Sequence, residues 1–115
     1  MPERPTRFFR IVESDPPTLW DFLSSARRGR QLRRPTPELE HLLAGVSVFE
    51  TQEQARQQAQ TFPRLGEFIA EMNVPVDLPA KCERTTRTEG HWTIWARSDV
   101  LLKLVVMVTK ADVVA

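Results

Sequence analysis

Cysteine occurs once in this chain, at Cys82, which excludes an internal disulfide. With only two histidines, His41 and His91, the chain falls short of the tetrahedral ligand set that a structural zinc usually takes, so no metal is expected. Glycine is scarce, four in 115 residues, and none of the four builds a phosphate-cradling loop or flanks a serine as a nucleophile elbow. No histidine pair stands at helical spacing, and no apolar run is long enough to cross a bilayer. No signal peptide is evident either, so the expected location is the cytoplasm with no membrane partner. Internal repeats and low-complexity tracts are also missing. Lysine is the last scarcity: of sixteen cations thirteen are arginine, the side chain suited to planar, bidentate contact with anions. The net charge of +1 points to no polyanion in bulk.

What is present is organised around residues 45–75. Val46 to Phe49 alternate as a strand does, and Thr51 with Gln54 three residues on forms a capping box for the helix that follows. Ala55, Ala59 and Phe62 recur at spacings of four and three, a narrow face that lets the helix lie close to a sheet. Pro63 and Gly66 end it. Phe68, Ala70, Met72 and Val74 then alternate with Ile69, Glu71 and Asn73 as a returning strand.

Before this unit, residues 1–6 read as a frayed lead-in to a strand over 7–12, RFFRIV. Phe9 and Ile11 share one of its faces, and Phe8, Arg10 and Val12 the other. A guanidinium on an apolar face needs a partner, a ligand, or an edge position from which to reach water, because burying it alone is costly. Thr18 and Asp21 cap a short helix that carries Leu19, Trp20, Phe22 and Leu23. A loop bearing Arg27, Arg28, Arg30, Arg33 and Arg34 follows, either a solvated face or a site for phosphate or nucleic acid. Thr36 and Pro37 start another helix, with Leu39, Leu42 and Leu43 on one side and Gly45 beyond its end. His41 on that helix is expected to be an ordinary surface or core residue. Downstream, residues 81–87 and 91–96 form a hairpin about the turn Thr88–Glu89–Gly90. Ser98 and Asp99 begin a helical turn, and residues 104–108, apolar on both faces, read as a central strand. The fold class is therefore α+β in a single domain over 1–115, with a split, mostly antiparallel sheet and short helices.

Three pieces, RFFRIV, GVSVFETQEQARQQAQTF and GHWTIWARSDVLLKLVVMV, occur in an order that resembles the ADP-ribosyltransferase fold. The resemblance implies an NAD-binding protein that transfers ADP-ribose to a protein or nucleic-acid acceptor. It implies that Arg10 holds the nicotinamide ribose or phosphate side, that Ser47 or Phe49 lines the pocket, and that Phe62 sits near the ring. Where the family has its catalytic glutamate this chain has His91, with Glu89 two residues earlier. An oxocarbenium-like sugar calls for a fixed carboxylate, and a neutral imidazole does not replace that charge. Three alternatives follow: Glu89 supplies the carboxylate, Glu71 does, or the site binds nucleotide without transfer. A different class of function is a non-catalytic interaction module, such as a toxin–antitoxin or regulatory component, with Trp92 and Trp95 as anchors.

Overall fold

In the computed structural model, which describes residues 4–86 and 88–112, the alternations above become a six-stranded antiparallel sheet with a few short helices, an α+β architecture. The strands are β1 (Arg7–Val12), β2 (Val46–Phe49), β3 (Phe68–Asn73), β4 (Lys81–Arg84), β5 (His91–Trp95) and β6 (Val105–Lys110). Their spatial order is β4-β5-β2-β1-β3-β6. Three α-helices accompany them, α1 (Pro37–Leu43), α2 (Gln52–Thr61) and α3 (Ser98–Lys103), with 3-10 turns at Leu19–Phe22 and Pro63–Leu65. None of these helices is long and apolar enough to cross a membrane.

Period-two alternation gives each inner strand two faces. On one face Phe8, Val12, Val46, Val48, Ala70, Met72, Trp92 and Ile94 form the larger core, closed by Phe22 from the first 3-10 turn and Leu101 from α3. Fully buried side chains such as Phe8, Met72 and Ile94 each contribute on the order of 1.5–3 kcal/mol. On the other face Ile11, Phe49 and Ile69 lie beneath α2, which meets them with Ala55 and Ala59. Small side chains there bring the helix backbone close to the sheet. Its start is the expected capping box: the Thr51 hydroxyl accepts from the Gln54 amide at 3.1 Å, and the Gln54 side chain accepts from the Thr51 amide at 3.2 Å.

The sheet is divided internally. β1 is in register with β3 from Arg7↔Asn73 to Val12↔Phe68, but it pairs with β2 only at Phe9↔Phe49. β1 is thus an inner strand, and Arg10 does not owe its tolerance to an edge position.

Of the expected lead-in, residues 1–3 lie outside the described residues, and the Arg4 guanidinium donates to the Val74 carbonyl at 3.0 Å and the Pro75 carbonyl at 2.6 Å. Three expectations are corrected. Phe62 does not continue the face of Ala55 and Ala59. It leaves the helix at φ −127°, ψ 78° and is 52% exposed. The strand expected over 81–87 ends at Arg84, and Arg87 lies outside the described residues. The apolar segment after α3 is an edge strand rather than a central one: β6 pairs with β3 alone and exposes Val106 and Met107.

Candidate anion-binding cleft

Arg10 follows the single β1–β2 pair, at the point where ladder hydrogen bonds between the two strands stop. Its guanidinium takes their place. Nη1 donates to the Ser47 carbonyl of β2 at 2.7 Å, and Nε donates to the Asp21 carbonyl at 2.7 Å. Phe22 lies under the group at 6.0 Å. An arginine has five N–H donors, so further donors remain without a protein acceptor among the described residues.

Asp21 fixes this arrangement from behind. Its buried carboxylate accepts from the Glu13 amide at 2.8 Å, the Thr18 amide at 2.8 Å and the Ser14 hydroxyl at 2.7 Å. Burial raises its pKa, but these hydrogen bonds outweigh burial and hold the carboxyl below its ordinary value, with help from Arg28. Residues 13–18 are thereby folded onto the 3-10 turn, and the Asp21 carbonyl is aimed at Arg10.

The opening beside Arg10 is a cavity of about 270 Å³. Arg10, Arg28, Arg30 and Arg64 line it, together with Ser25, Ser47, Gln58 and His91 and with apolar walls from Ile11, Leu23, Val46, Phe49 and Leu65. Among the described residues no acidic side chain lines it. Burial, then repulsion from Arg28, pushes Arg10 down to about 10, against the attraction of Asp21 and Glu13. Arg10 remains charged at neutral pH, and the charge is under-compensated. Arg28 is held by the Trp20 carbonyl at 2.6 Å and the Trp20 ring at 5.0 Å, while its buried Nε has no acceptor among the described residues.

His91 enters the cavity from the start of β5, its ring edge-on to Phe49 at 5.3 Å. Nδ1 lies 3.1 Å from the Thr85 carbonyl and 3.0 Å from the Thr85 hydroxyl, which also meets the Thr93 hydroxyl at 2.6 Å. A carbonyl only accepts, so the Thr85 carbonyl contact favours the neutral tautomer protonated at Nδ1, whereas the Thr85 hydroxyl contact suits either tautomer. Burial lowers the pKa of His91, only partly opposed by the Thr85 carbonyl.

The residues singled out in the sequence divide accordingly. Arg10, Ser47, Phe49, His91, Arg28 and Arg30 share the cleft. Glu89 is exposed and lines a different, shallow groove with Gln54, Gln57 and Thr88. Glu71, on β3, is paired with Arg7 of β1, which lies between it and β2. Phe62 stands outside the cleft, although Arg64 and Leu65 just after it are inside. Arg27 faces a separate groove with Leu19, Phe22, Arg97 and Asp99, and Arg33 and Arg34 are exposed on the loop. Trp92 is buried in the core and donates to Glu50 at 2.5 Å, whereas Trp95 stacks on His41 at 4.4 Å. The most exposed aromatic rings are instead Trp20 and Phe62, at 50% and 52%.

Arg64, Gln58 and Ser25 belong to the cleft without having been singled out in the sequence. Gln58 had a signal, since it follows Ala55 by three residues and therefore borders the buried stripe of α2. Arg64 had none, because nothing local links it to Arg10, fifty-four positions earlier. No protein-family model matches this chain, and neither the curated proteins nor the solved structures contain a match to it.

Proposed function

We propose that the cleft binds the phosphates of a nucleotide of the NAD class, such as NAD or ADP-ribose, and does so without transferring ADP-ribose. The observation that carries this reading is the convergence of four arginines on one cavity that no carboxylate lines among the described residues, with Arg10 already destabilised by Arg28. A pyrophosphate would accept from the unused guanidinium donors and relieve that repulsion. Ser25, Ser47 and Gln58 add neutral donors, and Phe49 and Leu65 offer apolar surface to a ribose or base.

Size supports the same division of the ligand. Cavities that enclose whole small ligands run from roughly 300 Å³ upward. At about 270 Å³ the cleft encloses the phosphate end and leaves the remainder of a dinucleotide at the rim. Arg27, Arg33 and Arg34 lie outside on the same loop, where a longer phosphate-bearing ligand would meet them. Transfer would need a carboxylate at the ribose, and Glu89 and Glu71 both lie away from the lining.

Calorimetry with NAD and ADP-ribose tests the proposal. Arg10→Ala is expected to weaken binding by about tenfold or more, the loss of a charge-assisted hydrogen bond. Arg30→Gln and Arg64→Gln, at exposed positions that spare the fold, should each weaken it as well. Absence of binding by the native chain, or unchanged affinity in all three variants, would overturn the reading. Nicotinamide release from NAD by the native chain would restore the transfer alternative.

A further inference from the structure

We infer that anion binding in the cleft is coupled to proton uptake by His91, whose Nε2–H then donates to the bound phosphate. This rests on the proposed phosphate-binding reading of the cleft.

The geometry sets the ring up for that role. Nδ1 faces the Thr85 carbonyl, which accepts from it in the tautomer protonated there, and the Thr85 hydroxyl, which also meets Thr93, lies at the same edge. Phe49 restrains the ring from a neighbouring strand. Nε2 is therefore the nitrogen left without a protein partner among the described residues, on a ring that lines the cavity. In the tautomer protonated at Nδ1, Nε2 can only accept, and an ionised phosphodiester oxygen can likewise only accept. The two are incompatible until a proton is added.

The surroundings decide the direction of the coupling. Arg10 on β1, Arg28 and Arg30 on the loop, and Arg64 on the second 3-10 turn share the cavity, and α2 contributes the neutral Gln58. The nearest carboxylates by chain are Glu50 after β2, engaged by Trp92 and by Arg84 of β4, and the exposed Glu89. Neither lines the cavity. Without ligand the half-buried ring shares its cavity with four guanidinium groups, which disfavours the imidazolium. A bound phosphate reverses that field and favours the imidazolium, so the ligand and the proton each strengthen the binding of the other.

The test uses ADP-ribose, because its pyrophosphate diester lacks the monoester proton that titrates near about pH 6. Titrations at neutral pH in buffers of different ionisation enthalpy should report uptake of a fraction of a proton, rising toward one. Affinity should increase as pH falls, by up to about tenfold per unit between the two pKa values of His91. His91→Gln should bind with a flat pH profile. In the native chain, nitrogen-resolved NMR of the imidazole should show the His91 titration moving upward when ADP-ribose is added, a readout independent of any variant. Binding without proton uptake, or a His91 titration that ADP-ribose does not move, overturns the coupling and leaves the binding reading intact. Failure of the native chain to bind ADP-ribose overturns both.

Discussion

Arg10 holds two carbonyls at once, those of Ser47 and Asp21, and still offers donors to the cleft. Asp21 governs that geometry more than its position in a short 3-10 turn implies, because its carboxylate collects three donors from the preceding loop. Asp21→Asn should keep the shape and destabilise the fold by on the order of 2 kcal/mol, since hydrogen bonds to a charged group are the stronger kind. The pH dependence follows from the direction of the shift. The folded carboxyl is held below its ordinary value, so the stabilisation is fully present above about pH 4 and is lost as pH falls through the depressed folded value. Denaturant unfolding of the native chain and Asp21→Asn across that range measures it. An acid limb unchanged by the substitution would remove Asp21 as its source. The same variant should weaken phosphate binding at neutral pH only modestly, because the carbonyl that meets Arg10 belongs to the backbone.

At the scale of elements, α2 is held by its cap and by its alanines. Thr51→Ala removes the acceptor for the Gln54 amide and should cost about 1 kcal/mol. Ala55→Leu inserts bulk where a fully buried methyl meets the sheet and should cost about 1–3 kcal/mol, read as a lowered unfolding midpoint. A neutral Ala55→Leu would mean that the helix stands farther off than its packing on Ile11, Phe49 and Ile69 indicates. These elements were legible in the sequence because their signals are local: the Thr51–Gln54 spacing, the alternation through residues 7–12, and Pro37 and Gly45 around α1. What was not legible depends on partners far along the chain. The apolar residues 105–108 look the same in a central strand and an edge strand, and only β3 on one side and solvent on the other tell them apart. Phe62 keeps helical spacing, yet one non-helical φ, ψ pair turns it outward. Arg10 could be marked as a guanidinium in need of a partner, but not as the meeting point of Arg28, Arg30 and Arg64. That convergence comes from how the loop and the second 3-10 turn pack against the β1–β2 opening.

Across the whole molecule, the sheet comprises two three-stranded halves, β4-β5-β2 and β1-β3-β6, joined by one registered pair, by Arg10, by α2 lying across both and by the shared core, in which Phe8 meets Trp92. Such a seam is a natural hinge. Within each half the strands pair over at least four registered positions, whereas β1 and β2 share one, so among the ladders of the sheet the β1–β2 contact should open most readily. An anion held by Arg10, Ser47 and His91 would touch both halves and act as a latch. At a ligand concentration about a hundred times Kd, the closed state gains about 2.7 kcal/mol, so amides protected only by closure should exchange about a hundredfold more slowly. Those amides should be found in β2, at the β2-facing positions of β1 and at the inner face of α2, while the β3–β6 ladder changes little. Uniform slowing across all six strands would instead indicate that the sheet opens as one body. The opening that makes room for a ligand would then also be the element whose breathing the ligand controls.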